Sequence, residues 1–492
     1  MFKFATIITI TLTIISFYNE KIRNCIKDIG CLLSLVILIS CTEDIEASIP
    51  PSQSVASISG TLPVLYIDTE NHSPIVSKEV YLNAFYRLDP MGIEGIEALG
   101  TKDEPLPLQI RGRGHSSWKG AKKPYKIKLG QKTSIMGMPK NKHWALLKPT
   151  ENTVAGLQLG HIMNMAWTPS FRPVEVVLNG DYIGLYFLTE TIRIDENRVN
   201  IYKQQDQETN PDLISGGWLV EVDNYRDECQ ITIPENNQWN LTLRYHSPEN
   251  LSNAQLQWLT DEFKAINSTI YSPDKTSTAW EEYIDVESMA RFFILQEVMD
   301  NPDGFHGSFY LHKDLGNNCK WIAGPIWDLV CYNRDKSDYT FKMKVHYGFT
   351  PHWIGEIIQY DSFCKSVKTI WEEVYPNKLN EIFGYIDDMV LPLDAAWRND
   401  CERWNEDPSQ TASLRADRIK NALRRNIEWF DKHLPVSQYA SLSIIPEAEK
   451  NTPTRVFNLQ GFCIGEFESE DQAMSNLRKG IYIINNKKIK IK

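Results

Sequence analysis

The spacing of apolar residues along the chain changes near residue 250. Before that point, short segments of alternating or continuous apolar residues are typical of β-strands. The strands predicted in this way lie at 62–67, 80–88, 106–110, 125–129, 171–178, 182–188, 217–222 and 241–245. Asn179-Gly180-Asp181 separates two of them and is a strong signal for a tight hairpin turn.

Beyond residue 250, apolar residues recur with helical spacing. The predicted helices lie at 254–270, 286–299, 353–375, 379–390 and 412–434. A β-rich first half followed by a helical second half predicts an α+β fold organised in two lobes.

The N-terminus carries two apolar segments, at 4–17 and 29–40, each shorter than the roughly 20 residues that cross a bilayer as a helix. The second follows Arg23 and Lys27, ends at Ser40-Cys41 and resembles the lipobox of bacterial lipoproteins. We therefore expect a signal peptide over 1–41, a lipid anchor on Cys41 and a location in the cell envelope, at the outer membrane or cell surface. The alternative is a pair of poor transmembrane helices around a loop. Residues 42–60 are polar and rich in proline and serine, which predicts a flexible tether.

Composition narrows the classes of function. The 492 residues include 63 acidic and 52 basic side chains, for a net charge of −11, which argues against a general nucleic-acid binder. The hydrophobic fraction of 42% is sufficient for a large core and excludes general disorder. The nine cysteines form no CxxC and no zinc-site spacing. Buried free thiols are the preferred interpretation and disulfide pairs the alternative.

Two arginines and several lysines surround a glycine-containing turn at 111–128. The segment RGRGHSSW, from Arg111 to Trp118, is followed by KKPYKIK, which begins at Lys122. Such glycines allow a tight turn that presents backbone N–H groups, and the cations suit phosphate. The alternative is a turn followed by an amphipathic strand whose lysines face water.

Three carboxylates stand where a reaction could use them. Glu190 ends a predicted strand and could pair with a lysine, although it could equally be a surface glutamate. Asp303 lies in a Gly/Pro-containing loop directly after a predicted helix and could accept a hydroxyl proton. Asp328 follows the apolar GPIW segment and could hold Mg²⁺ together with phosphate oxygens. The alternative for both aspartates is an ordinary turn residue.

The order of these motifs resembles the CotH family of spore-coat-protein-H-like atypical protein kinases. The resemblance spans about residues 61–434 and rests on RGRGHSSW with KKPYKIKL, GLYFLTE, GGWLVEVDNY, NPDGFHGSFYLHKD and GPIWD. It implies a divergent, two-lobed protein-kinase-like fold that uses ATP and Mg²⁺ to phosphorylate Ser or Thr of a protein substrate, which the sequence does not identify.

The resemblance also implies roles for individual residues. The nucleotide would be bound by Arg111, Arg113, Ser116 and Lys123, with Glu190 in the ion-pair role of a kinase glutamate. Asp303 would be the catalytic aspartate, and Asp328 and Ser308 would hold the metal ion.

Two departures from the family pattern bear on activity. Ser308 stands where such sequences often have asparagine, and Val330 replaces the second aspartate of a Trp-Asp-x-Asp motif. Fewer anionic ligands weaken the binding of a divalent cation. The alternative function is therefore a catalytically degenerate surface scaffold or adhesin.

The sequence after the helical region predicts a linker at 435–453 and a small β-module at 454–492. The C-terminal segment GIYIINNKKIKIK resembles the sorting module of type IX secretion cargo. The alternative is a basic amphipathic hairpin that closes the domain.

Overall fold

The computed structural model describes residues 57–223, 230–234, 240–305, 307–316, 318–334, 353–439, 454–459, 463–467, 469–484 and 487–491. The predicted signal peptide with Cys41, the tether up to residue 56 and residues 440–453 of the predicted linker lie outside the described residues. Strands dominate before residue 250 and helices follow, so the predicted α+β organisation is confirmed.

Seven strands form a closed barrel in the order β1-β2-β3-β4-β5-β7-β6. They are β1 (Val64–Thr69), β2 (Leu82–Asp89), β3 (Leu106–Gly112), β4 (Tyr125–Ile135), β5 (Met138–Leu147), β6 (Phe171–Leu178) and β7 (Asp181–Glu190). The barrel closes where β1 and β6 pair in parallel. Alternate side chains fill its interior. In β4, Ile127 and Leu129 are buried in this core, while Lys126 and Lys128 project from the opposite face of the strand.

The hairpin predicted at Asn179-Gly180 is confirmed. Leu178 of β6 pairs with Asp181 of β7, and the two turn residues have φ angles of 52° and 80°. Two consecutive residues with positive φ are what a two-residue type I′ turn requires, and Asn-Gly adopts them at low cost.

A second sheet of five antiparallel strands has the order β12-β11-β8-β10-β9. The strands are β8 (Trp218–Val222), β9 (Gln230–Pro234), β10 (Asn240–Ser247), β11 (Phe309–Lys313) and β12 (Ile322–Ala323). Because β11 and β12 are antiparallel, the start of β11 and the end of β12 lie at the same edge of the sheet. The loop that contains Asp303 precedes β11, and Asp328 follows β12, so this topology directs both aspartates to one edge.

The helical part surrounds one central, buried helix. The helices are α1 (Glu151–Ile162), α2 (Pro211–Ile214), α3 (Asn253–Ile270), α4 (Val286–Val298), α5 (Ile354–Ile357), α6 (Asp361–Val374), α7 (Asn377–Val390), α8 (Asp394–Trp404) and α9 (Ala412–Lys432). Every residue of α4 from Met289 to Val298 is buried, as expected of a helix packed on all sides. None of the helices in the described ranges combines the length and the apolar character that a membrane-crossing segment needs.

The folded domain includes residues that lie before the predicted tether boundary at residue 60. The backbone N–H and hydroxyl of Ser59 donate to the buried Glu175 carboxylate over 2.7–3.0 Å, and Ile58 packs against an apolar cluster of the barrel. Residues 58 and 59 therefore belong to the folded domain, because Glu175 is buried and needs donors.

The C-terminal segment forms its own small sheet, as predicted, with the order β14-β13-β15-β16. Its elements are β13 (Thr454–Phe457), β14 (Cys463–Phe467), α10 (Glu470–Asn476), β15 (Gly480–Ile484) and β16 (Lys487–Ile491). Strand β14 and helix α10 were not predicted. The five cysteines within the described residues, Cys319, Cys331, Cys364, Cys401 and Cys463, are free thiols.

Candidate functional site

The RGRG turn depends on two glycines. Gly112 ends β3, and a Cβ atom there would lie 2.4 Å from the ring of Trp118, so the indole packs directly on the backbone. Gly114 has φ of +85°, a conformation that L side chains rarely adopt, and a Cβ atom there would meet the hydroxyl of Ser117. The chain can therefore reverse tightly at Arg113.

Arg113 lies beside the loop that carries Asp328. Its guanidinium stands 5.3 Å from the ring centre of Trp327. Burial lowers the pKa of Arg113, whereas the charges of Tyr310, Asp328 and Glu221 act in the opposite direction. Segments more than 100 residues apart in the sequence thus place a cation next to two carboxylates.

Two lysines of the KKPYKIK segment are used in internal contacts. The ammonium of the buried Lys122 lies 2.5 Å from the carboxylate of Asp400 in α8 and 2.5 Å from the carbonyl of Leu185. Lys123 donates to the carbonyl of Trp118 over 2.7 Å and lies above that indole ring. The ammonium of Lys123, the predicted phosphate ligand, is therefore held against the protein's own turn.

Lys126, a third lysine of this segment, lies close to other cations. It stands opposite Arg111 in the β3–β4 register, so both side chains leave the same face of the sheet. Burial and the charges of Arg111, Arg193 and Arg113 together lower the pKa of Lys126 to about 8. Glu249, whose carboxylate is 3.9 Å from Arg193, raises it. We refer to Arg111, Arg113, Lys126 and Arg193 as the basic cluster.

The loop after α4 presents Asp303. Helix α4 ends at Val298, and Asp300 then adopts φ of 50°. The side chain of the buried Asn301 accepts the backbone N–H of Asp303 over 3.1 Å and donates to Gln296 over 2.8 Å. Asp303 itself is exposed. Asn301 thus fixes the backbone of the loop while the aspartate remains accessible.

Asp328 lies near Asp303. Burial raises the pKa of Asp328, and the charges of Asp303 and Glu221 raise it further, against the opposing charge of Arg113. Asp328 is nevertheless solvent-accessible, so it occupies a recess that water still reaches. The structure therefore brings together Arg113, Asp303 and Asp328, three residues that the sequence predicted separately.

The backbone around these aspartates contains unusual conformations. Asp300, Ser308 and Asp328 all have φ near +50°, where side chains other than glycine are uncommon. Such strained residues tend to cluster at functional sites. The half-buried Ser308 begins the approach to β11, and Ser116 is exposed in the RGRG turn.

Glu190 has a different partner from the expected lysine. Its carboxylate lies 3.6 Å from Nε of Arg198 and accepts the backbone N–H of Ser170 over 2.9 Å. Burial raises the pKa of Glu190, although these contacts oppose the shift. An arginine in the segment after β7 therefore takes the ion-pair role that the resemblance implied for a lysine.

Glu221 was missed at the sequence level. This buried residue of β8 lies 2.7 Å from Nε2 of His246 and opposite Tyr310 in the strand register. Burial alone would raise the pKa of Glu221, but the hydrogen bonds from His246 and Tyr310 hold it below its usual value. A glutamate within the apolar strand WLVEV was the available signal, because a buried charge needs dedicated partners.

Asp303 and Asp328 are candidate ligands for a metal ion. No group of three or more His, Cys, Asp or Glu residues within the described ranges is arranged to hold a metal ion. Mg²⁺, however, commonly binds through one or two carboxylates together with phosphate oxygens and water. Asp328, whose pKa is raised beside Asp303, fits such a shared site, because a cation would relieve the repulsion between the two carboxylates.

Comparison with known proteins identifies a family for this chain. The family model described as CotH kinase protein matches residues 109–430, which span the RGRG turn, both aspartate loops and most of α9. A comparison with curated proteins found no match.

Proposed function

The chain belongs to the CotH kinase family, and we propose that it is an ATP-dependent protein kinase that phosphorylates Ser or Thr of a protein substrate. The observation that carries the proposal is the position of Asp328, whose carboxyl group is affected by the charges of both Arg113 and Asp303. Cations beside carboxylates suit a nucleotide whose phosphates bind both protein cations and Mg²⁺.

The two parts of the fold fit the separate roles expected of a two-lobed, kinase-like protein. The barrel, which carries the RGRG turn and Lys126, would bind the phosphates. The five-stranded sheet with its helices would hold Asp303 and Asp328. The ion pair between Lys122 and Asp400 ties the barrel to α8, so the two parts would be held in a fixed relation.

Within this site, we assign phosphate binding to Arg111, Arg113 and Lys126. Lys126 takes the place of Lys123 because the Lys123 ammonium is bound to Trp118. Ser116 and the backbone of the turn would contribute hydrogen-bond donors. ATP and Mg²⁺ are the cofactors that fit these residues, with Asp328 and Ser308 as the protein's metal ligands.

Asp303 would act on the acceptor hydroxyl. Its exposed carboxylate can accept a hydrogen bond from a Ser or Thr hydroxyl, orient that oxygen towards the γ-phosphorus and take up its proton. When bound, Mg²⁺ would neutralise charge on the phosphate oxygens. Arg113, next to Asp328, would stabilise the negative charge that develops on the transferred group.

The proposal predicts that the purified chain binds Mg·ATP and transfers ³²P to a generic protein acceptor. Asp328→Asn should weaken Mg·ATP binding by about tenfold or more, because a hard anionic ligand is lost. Calorimetric titration measures the affinity, and the exposed Asp212→Asn is the matched control. A native chain that neither binds Mg·ATP nor transfers phosphate would exclude the proposed activity.

A second candidate function is supported by Ser308 and Val330, which replace two groups expected to bind metal. The chain would then be a surface scaffold or adhesin that retains a nucleotide site without phosphotransfer. The same titration distinguishes the two candidates. If the second candidate is correct, the native chain should transfer no phosphate. The double variant Ser308→Asn with Val330→Asp should then bind Mg·ATP more tightly than the native chain.

We also propose that the protein is anchored to the cell envelope by lipid on Cys41, at the outer membrane or cell surface. The support is the lipobox-like sequence before Cys41 and the polar segment that follows it. Replacing Cys41 with serine removes the thiol that would carry the lipid, so the protein should move from the membrane to the soluble fraction. Stable anchoring needs more than one acyl chain, and the variant would carry none. Unchanged membrane association of Cys41→Ser would exclude this anchor.

A further inference from the structure

One outer face of the barrel carries a row of cations. Arg111 and Lys126 are opposite each other on β3 and β4, and Lys128 and His143 are opposite each other on β4 and β5. Lys126 and Lys128 are two residues apart, so they project from the same face of β4. The segment after β7 adds Arg193 next to this row.

Two titratable groups on this face report the same excess of positive charge. At Lys126, burial and three arginines lower the pKa, and Glu249 raises it. At His143, burial and the charges of Arg193, Lys126, Lys128 and Arg198 together lower the pKa to about 3. Because the two groups lie on neighbouring strands, the excess charge extends along the face.

A buried donor on this face lacks an acceptor. Within the part of the chain that the structure describes, Nε of Arg111 is buried and has no hydrogen-bond partner. A buried, charged donor without an acceptor is costly, which points to an anionic ligand.

We propose that the basic cluster binds the polyphosphate chain of the nucleotide directly, so that binding does not require a divalent cation. The proposal rests on the proposed function for the identity of the ligand and deepens it. The reason is that positive charges outnumber the anionic metal ligands in the site. Four cations belong to the basic cluster, whereas Val330 leaves the metal side with one anionic ligand fewer and Ser308 offers only a neutral hydroxyl. A chain of three phosphates matches a row of cations better than a single anion does.

The test uses the purified full-length chain in EDTA, with ATP and inorganic tripolyphosphate as probes in calorimetric titrations. Both should bind, and the affinity for ATP should remain within about tenfold of its value in Mg²⁺, since charged hydrogen bonds supply most of it. Lys126→Met should weaken both probes by about tenfold to a hundredfold, as expected for one charge-assisted contact. Lys123→Met is the matched control, because its ammonium is bound to Trp118.

Loss of folding does not confound this test. Burial and the neighbouring arginines hold the pKa of Lys126 below its ordinary value, so removal of its charge should leave the melting temperature of the free protein unchanged or raised. Arg193→Met, which changes a second member of the basic cluster, should weaken both probes as well.

The metal-free affinity should also depend on pH. Lys126 is faced by Arg111 from β3, Arg113 from the turn, Arg193 from the segment after β7 and Glu249 from the segment after β10. An anion favours the protonated lysine, so ATP affinity in EDTA should fall from about pH 7 to about pH 9 as Lys126 loses its proton. Lys126→Met should not show this fall.

The outcomes separate this proposal from the proposed function. Binding of ATP only with Mg²⁺ overturns the metal-independent site and leaves the kinase proposal standing. Failure of both probes, with and without Mg²⁺, overturns both proposals. If the protein binds ATP but not tripolyphosphate, the assignment of the phosphates to the basic cluster is overturned. An equal loss of affinity in Lys123→Met and Lys126→Met overturns it as well.

Discussion

Replacing Asp303 with asparagine is expected to reduce phosphotransfer by about a hundredfold to ten-thousandfold, the range associated with loss of a general base. The amide keeps the size of the side chain but cannot accept the hydroxyl proton. Asp303 is exposed, and its backbone N–H donates to the side chain of Asn301. We therefore expect an unchanged melting temperature, and an unchanged affinity for ATP in EDTA, measured beside initial rates of ³²P transfer.

The exposed Asp212 in α2 provides the matched control, since Asp212→Asn makes the same chemical change away from the site. A variant that loses transfer together with stability would indicate a structural role for Asp303. Full transfer by Asp303→Asn would remove this carboxylate from the reaction. It would then direct attention to Glu221, whose charge acts on both Arg113 and Asp328.

Local patterns in the sequence predicted much of the fold. The Asn179-Gly180 hairpin was correct because a two-residue turn is determined by its own residues. The single helix predicted over 353–375 was wrong in its continuity, because α5 ends at Ile357 and α6 begins at Asp361. Between them, Tyr360 is extended and its hydroxyl donates to carbonyls at the end of α3. That contact is tertiary, so helical spacing could not reveal it.

The candidate site was predictable where charge and turn residues occur together. Arg113, Asp303 and Asp328 were found from their motifs, and in the structure the charges of Arg113 and Asp303 both act on Asp328. The choice between Lys123 and Lys126 depended on tertiary contacts. Lys123 precedes β4 and is bound to Trp118, whereas Lys126 lies in β4 beside other cations. Sequence spacing alone does not reveal either environment.

The partner of Glu190 could not be predicted from the sequence either. Arg198 follows it by only eight residues, yet the pair forms because the segment after β7 folds back over the barrel, where Arg198 stands 5.0 Å from the ring centre of Trp144. Ion pairs need proximity in space, and nothing in the spacing of the two residues distinguishes Arg198 from Arg193. Sequence patterns therefore identified charged groups more reliably than their partners.

A buried ion cluster holds the segment after Asp328 against the helix before Asp303. Arg334 pairs with Glu297, at the end of α4, and lies 3.0 Å from the carboxylate of Asp300. All three side chains are almost completely buried. From α9, Asn426 accepts the backbone N–H of Arg334 and donates to the carbonyl of Val298. The two aspartate loops thus share one buried support.

Arg334→Met is expected to lower the free energy of unfolding by about 3–5 kcal/mol, because it leaves two carboxylates in the interior without their arginine. Chemical denaturation of the full chain measures the loss, and Arg425→Met, an exposed arginine of α9, is the matched control. Adding Glu297→Gln to Arg334→Met should recover part of the stability, since one unpaired charge is then removed. A loss below about 1 kcal/mol, or no recovery in the double variant, would contradict this role. Because the cluster joins both loops, partial recovery of stability should be accompanied by partial recovery of Mg·ATP binding.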